Sequence, residues 1–514
     1  MVYRQSHIEN KIRNEVKSVL PWVDYVTLTS PVKKSPFQKT AFFLELKRNC
    51  KIHLVSFVQS VVGKKLCIED DKAVLYQLSP ETRSLLSWLV SQDLLATWNF
   101  GRPLPGVPSV KTMYLFPEPI ATPGGGYYPP TGANGIGAGA TYEQAAHSAL
   151  GEFIERNASS AYWWENPALY QKNFSQSSIQ INPALFIKLS DKQYKDNSSL
   201  ESYSVDQQIY WAPAVELGAG KKVNIPASLV YMYFRHEHKG EPFFDEVSSN
   251  GAATYSGYKE ACVRAILELV ERDVFVRFWY HREVAREIKL ETLTQIFPEL
   301  QELLDALSVD ETVAVYEIPN SFGIPTFIAT LTNRDKSKTA FNITAASDLN
   351  SDQALHKVIR EIIRFAEEQY PVRKGSPLIA DFTSYSDLND FANSLSNRRR
   401  LWAHQEMLSH IEWLADSPEV TYENISKGVT EDFSAMQRYE WLRNYCSKHN
   451  VRIYLSDVTN SVAKYAGLYV VRAVSPDLLS IFFKEEYQPL GSKRFTHDSN
   501  DQKVTLNPVP HPFI

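Results

Sequence analysis

The chain has 514 residues, of which 44% are hydrophobic and 22% charged, with a formal net charge of −5. That balance excludes wholesale disorder, and at roughly 150 residues per domain it predicts two to four domains. A net acidic chain is a poor polyanion binder, so no nucleic-acid partner is expected, and no apolar run approaches the ~20 residues of a membrane span. The N-terminal run MVYRQSHIENKIRNEV has charges where a signal peptide needs an apolar core. The four cysteines (Cys50, Cys67, Cys262, Cys446) form no Cys-x-x-Cys pair. A reducing cytoplasm is therefore the expected location.

Residues 1–70 carry twelve Lys+Arg against six Asp+Glu, a net of +6 that leaves −11 for the remainder. A basic head on an acidic body can meet an acidic peptide or partner protein. Within the head, FFLELK and IHLVSFVQSVV have the β-branched and aromatic content of strands. SPETRSLLSWLVSQDLL reads as a helix with Ser79 as N-cap and Pro80 in the first turn. A small N-terminal α+β module over 1–100 follows. Residues 101–140 contain PGGGYYPPTGANGIGAGA and read as a loop or linker opening a second domain. VTYENI, VRIYLSDVT and AGLYVVRAVSP read as late strands. The last stretch, NPVPHPFI, has prolines at 508, 510 and 512, which exclude a helix or a central strand. Residues 501–514 form a separate Pro-rich tail.

An internal repeat dominates the middle of the chain. ANGIGAGATYEQAAHSALGEFIER (133–156) aligns without a gap on SNGAATYSGYKEACVRAILELVER (249–272) at an offset of 116, with eight identities in 24 positions. That period is too long for a solenoid and suggests two related elements around one site. Each copy reads as a loop and an amphipathic helix. Ala146, Ala149, Leu150, Phe153 and Ile154 form one apolar face; Ser148, Glu152, Glu155 and Arg156 share another. The second copy repeats this with Glu260, Glu268, Glu271 and Arg272. One Glu-x-x-Glu-Arg is an ordinary solvated face. Two facing copies would bring four carboxylates together, which needs cations, and Mg²⁺ with a phosphate substrate is the natural choice. A third helix, ALHKVIREIIRFAEEQ (354–369), places Lys357 and Glu361 four apart on one face.

SALGEFIER, SNG followed by EACVRAILELVERD, and ALHKVIRE together resemble the YcaO family, as does YLSDVTNSVAKYAGLYVVRAVSP. The resemblance covers roughly 100–514 and implies an α+β YcaO-type ATP-binding fold with an internal repeat, its catalytic domain over 101–500. The tail resembles that of the azoline-forming branch, the peptide cyclodehydratases called D proteins.

By resemblance, Glu152, Glu155, Glu268, Glu271 and Glu361 hold Mg²⁺, while Ser148, Arg156, Ser256, Glu260, Arg272 and Lys357 contact ATP. The prolines Pro508, Pro510 and Pro512 would bring the tail to the active site. There His511 or the Ile514 carboxylate offers a proton acceptor. Four positions depart from the family pattern. Ala138 stands where many relatives have Lys, Tyr255 replaces Gly, Lys357 replaces Arg, and Ile514 stands where relatives often end in Pro.

The implied activity converts Cys, Ser or Thr of a ribosomal precursor peptide to thiazoline or oxazoline, as in thiazole/oxazole-modified natural products and bacteriocins. Implied partners are a leader-binding, E1-like clamp protein and a flavin dehydrogenase, with a homodimer inside a larger assembly. Thioamide or amidine formation and a non-catalytic peptide-binding scaffold are the alternatives. The Gly-rich stretch also offers a dinucleotide-binding enzyme, but no clear strand precedes it in the sequence.

Overall fold

The computed structural model describes residues 77–513 except 102–103, 118–119, 122–126, 129–133, 161–168, 176–178, 239, 369–383 and 430–431. The basic head with its two expected strands, and Ile514, lie outside the described residues. The chain divides into two compact units, Met1–Asn99 with Phe116–Glu118, and Phe100–Leu115 with Pro119–Ile514. In the first, helix α1 (Pro80–Ser91) starts as its sequence dictates. The Ser79 hydroxyl accepts from the Thr82 amide at 3.1 Å, Pro80 needs no such acceptor, and Leu86 and Leu89 are buried.

The second unit corrects the reading of the Gly-rich stretch. Strand β1 (Lys111–Pro117) pairs antiparallel with β2 (Gly135–Gly139), Met113 opposite Gly137. Helix α2 (Tyr142–Ser159) then lies directly on β2. A Cβ at Gly137 would stand 2.1 Å from the Ala145 carbonyl oxygen, and one at Gly135 2.3 Å from that of Ala149. The glycines are there because helix backbone meets strand backbone, not because the chain turns. The second copy repeats the unit: strand β6 (Ala252–Tyr255) precedes helix α3 (Tyr258–His281), and both helices start at the aligned tyrosines, Tyr142 and Tyr258.

Two sheets complete the unit. One contains β3 (Tyr170–Lys172), β4 (Ile209–Glu216), β5 (Lys222–Pro226), β12 (Tyr454–Asp457) and β13 (Tyr469–Val474). It runs β3-β4-β12-β13-β6, with β5 also on β4, and every pairing is antiparallel. The other runs β10-β9-β8-β7-β11. Its strands are β7 (Arg286–Ile288), β8 (Glu311–Glu317), β9 (Thr326–Asn333), β10 (Phe341–Ser347) and β11 (Glu419–Val420). Only β11 joins in parallel. VTYENI is thus mostly not a strand: Tyr422–Asn424 make a 3₁₀ turn. Thr292 accepts from the Tyr422 amide at 3.1 Å and the Tyr422 hydroxyl donates to Asp352 at 2.7 Å, and these contacts override β-propensity.

Helix α3 packs on β6 and β13 of one sheet and β10 of the other, as well as on helix α6 (Ala435–His449). Covered on all sides, it buries Ile266, Val270, Phe275, Phe278 and Trp279 around its whole circumference. Helix α4 (Ser351–Glu368) packs Leu355, Val358, Ile359 and Ile362 against Phe327 and Leu331 of β9. Helix α5 (Leu395–Trp402) buries Arg398 and Trp402. Among the described residues no helix is long and apolar enough to cross a membrane.

Candidate active site

The glutamates of the repeat sit where α2, α3 and α4 meet β10 and β13. Glu152 accepts from the Ile136 amide of β2 at 2.8 Å and from Arg156 at 3.0 Å. Glu271 is 1% exposed and fully engaged. It accepts from Arg272 at 2.8 Å, Lys357 at 2.9 Å and the Ser347 amide at 3.1 Å. Glu268 pairs with Arg272 at 3.2 Å, and Glu361 accepts from the Thr344 hydroxyl. Glu155 makes no hydrogen bond among the described residues. Nor do any three carboxylates there converge on one point as metal ligands do; Arg156, Arg272 and Lys357 pair with Glu152, Glu268 and Glu271 instead.

The electrostatics follow from burial. Burial pushes Glu155 well above the usual carboxylate range, with Glu268 beside it acting the same way against Arg156. Burial also raises Glu268, with Arg272 opposing and Glu271 adding. For Lys357, burial alone would lower the ammonium, but Glu271 and Glu361 outweigh it and hold the lysine above its ordinary value. Arg272 behaves alike, with Glu271, Glu268 and Glu361 outweighing burial.

The remaining residues expected at the nucleotide fall into two groups. Ser148 and Ser256 are exposed near the starts of α2 and α3. Glu260 is buried and already committed, accepting from Arg438 at 2.8 Å and Arg264 at 2.9 Å. Arg438 continues to Asp348 at 3.0 Å. Sequence reasoning did not find this Glu260–Arg438–Asp348 chain, whose members are 88 to 178 residues apart in pairs and share no local pattern.

The tail is a packed element. It runs beside α3 from the helix's C-terminal end towards its middle. Asn507 donates its amide to the Tyr280 carbonyl at 2.7 Å, filling one of the acceptors a helix end leaves open. Trp279 donates to the Val509 carbonyl at 2.8 Å, Trp402 to Pro510 at 3.1 Å and Arg398 to His511 at 3.1 Å. Pro510 and Pro512 are buried and each removes an N–H that burial would leave unsatisfied, while Pro508 is exposed.

His511 is fully buried among Phe275, Tyr280 and Phe482, its Nε2–H donating to the Phe482 carbonyl at 2.7 Å. Burial, with Arg398 nearby, holds the imidazole well below its ordinary value. That geometry gives His511 an anchoring contact, and the expected proton acceptor is a buried imidazole. Phe513 reaches the cluster: its ring centre lies 4.4 Å from the Arg272 guanidinium and 4.6 Å from Phe275. The other expected proton acceptor, the Ile514 carboxylate, lies outside the described residues.

The family model for YcaO cyclodehydratases, described as ATP- and Mg²⁺-binding, matches residues 136–479. The chain belongs to the YcaO family. Among solved structures, a YcaO-fold heterocyclase in complex with substrate and cofactor has a TM-score of 0.63 at 18% identity, over 84% of this chain and 57% of its own. The chain thus spans little more than half of that heterocyclase. YcaO from Methanopyrus kandleri, bound with AMPPCP and Mg²⁺, gives 0.51 at 16% identity, over 77% of this chain and 91% of its own. A chain of the E. coli microcin synthetase McbBCD complex gives 0.50 at 13%, over 81% and 97%. No curated protein sequence matches significantly.

The carboxylates of this YcaO chain suit the Mg²⁺ its family binds. Glu155 and Glu268 oppose each other's ionisation, Glu155 has no hydrogen-bond donor among the described residues, and oxygen ligands suit a hard divalent cation. One further cation stands beside this pair and was missed from sequence. Arg472 of β13 is 4% exposed and donates to the Ser248 carbonyl at 2.7 Å, with its Nε buried and unpartnered among the described residues. Burial pulls it down to about 10 against the pull of Glu268 and Glu155. A lone arginine inside the otherwise apolar YVVRAV was the available signal.

Proposed function

We propose that this YcaO enzyme is an ATP- and Mg²⁺-dependent peptide cyclodehydratase of the azoline-forming branch, working in the cytoplasm on Cys, Ser or Thr of a ribosomal precursor peptide. The side-chain sulfur or oxygen attacks the preceding amide carbonyl. The resulting oxyanion takes the γ-phosphoryl group of ATP, and the carbon–oxygen bond then breaks to release phosphate. The thiol or hydroxyl proton and the amide proton are lost as the C=N bond of the azoline forms. The peptide loses one water for each ring, and its amide oxygen leaves in the phosphate. The observation that carries this reading is the tail, docked along α3 and ending its described course on the Arg272 ring contact.

Glu152, Glu155, Glu268, Glu271 and Glu361 are the residues that would hold Mg²⁺. Bound there, the ion supplies charge neutralisation to the transferring phosphoryl group. Arg156, Arg272 and Lys357 would bind phosphate oxygens, and Ser148, Ser256 and Glu260 the rest of the nucleotide. Lys357, held above its ordinary value, stays cationic across the working pH range. Pro508, Pro510 and Pro512 keep the tail extended, and His511 pins it.

A leader-binding partner of the clamp type would present the peptide, and a flavin dehydrogenase could follow. The test combines full chain, such a partner, precursor peptide and Mg-ATP. Mass spectrometry should record loss of one water per ring, with ADP and phosphate released in step. Peptide-stimulated ATP turnover without that mass loss would exclude cyclodehydration. Binding of peptide without any turnover would leave only the scaffold reading.

A further inference from the structure

Among the described residues, Phe513 of the tail touches Arg272, one of the residues assigned to the nucleotide. Phe513 is 7% exposed, wedged between Phe275 at 4.6 Å and the Arg272 guanidinium at 4.4 Å. Arg272 in turn donates to Glu271 at 2.8 Å and to Glu268 at 3.2 Å. An arginine serving two carboxylates has several rotamers open to it, and a ring face under the guanidinium removes most of them while attracting its charge. Behind Phe513 the tail cannot slide. Arg398 is fully buried and binds the His511 carbonyl at 3.1 Å, the Phe483 carbonyl at 2.9 Å and the Glu485 carboxylate, which also accepts from Tyr280 at 2.9 Å.

We infer that Phe513 is a positioning residue for Arg272, so that docking of the tail sets the affinity of the site for Mg-ATP before any peptide arrives. The inference rests on the assignment of Arg272 to the nucleotide under the proposed function, and it adds a second role to a segment otherwise needed only for ring formation. The coupling runs both ways. A nucleotide phosphate that fixes Arg272 also holds Phe513, so bound ATP favours the docked tail.

The experiment is nucleotide binding by the full chain without peptide, read by calorimetry with a non-hydrolysable ATP analogue and Mg²⁺. Phe513→Leu keeps apolar volume but removes the ring face. It should weaken binding roughly 3- to 10-fold, and Phe513→Trp should restore it. Arg272→Lys should also weaken binding, and in the double variant Phe513→Leu should add nothing further, because its effect passes through the guanidinium. Melting of Phe513→Leu close to wild type separates this from general loosening. Wild-type affinity in Phe513→Leu, or a full additive loss in the double variant, overturns the inference. Because no peptide is present, a failure to form azolines would count against the proposed function and leave this measurement unaffected.

Discussion

The two copies of the repeat carry the same acids at the same spacing and find different hydrogen-bond partners. In the first, Glu152 is held by a strand amide and by Arg156, while Glu155 has no hydrogen bond among the described residues and is pushed up by burial and by Glu268. In the second the order is reversed. Glu271, aligned with Glu155, takes three donors from α3, α4 and β10, and Glu268, aligned with Glu152, has only Arg272. The second copy meets Lys357 from α4, and Phe513 of the tail presses on its arginine. The comparison teaches that a repeated motif fixes where carboxylates stand, while the elements packed around each copy decide which donors they meet.

The largest effects should come from breaking that asymmetry. If the proposed Mg²⁺ ligands are right, Glu271→Gln and Glu155→Gln should each reduce peptide-dependent ATP turnover more than ~100-fold, since each would remove a ligand charge. Their effects on the metal-free fold should differ in sign. Glu271→Gln leaves the mostly buried Arg272 undercompensated and the exposed Lys357 without its buried partner, and should cost about 1–3 kcal/mol. Glu155→Gln removes a carboxylate that burial and Glu268 already disfavour, so melting in a chelator should rise. Equal signs would mean that the two copies are not electrically different.

A steric version of the same comparison is next in size. Gly137 aligns with Ala253. Gly137→Ala pushes a methyl against the Ala145 carbonyl and should cost about 1–3 kcal/mol, with weaker Mg-ATP binding because α2 moves. Denaturant melts would decide it; an unchanged midpoint would mean that α2 and β2 are not so closely packed.

The tail gives a pH-dependent difference confined to the second copy. His511 is neutral in the fold, its value held well below the ordinary ~6.5 of an unfolded histidine. The neutral form's contribution is therefore full above about pH 6.5 and is lost as the pH falls, by up to about 1.4 kcal/mol per pH unit. Stability and cyclisation should both decline below that pH, and His511→Gln should flatten the decline. A melting profile level from pH 7 to 5 in the wild type would contradict the buried neutral imidazole. The smallest effect belongs to the converse of the glycine test. Ala253→Gly in β6 removes one buried methyl without adding a clash and should cost about 1 kcal/mol.

Much of the site was legible because its information is local. The offset of 116, the three-residue spacing of the acids and the capped start of α1 are periodicities and neighbours in the chain, and they survive whatever packs on them. The same local reading mistook GIGAG for a loop, because glycine marks turns far more often than it marks a strand lying against a helix. It also read VTYENI as a strand, where contacts from Thr292 and Asp352 impose a turn.

Sequence alone singled out the candidates: five glutamates, two arginines and a lysine on three helical faces, and a tail whose prolines exclude a helix. Tertiary structure decided their states. It gave Lys357 to Glu271 rather than to Glu361, committed Glu260 to Arg438, brought Arg472 beside the acids, and turned His511 inward while Phe513 reached Arg272. The reason is physical. Spacing along a helix fixes which residues share a face, but charge, protonation and access depend on desolvation and on partners tens to hundreds of residues away.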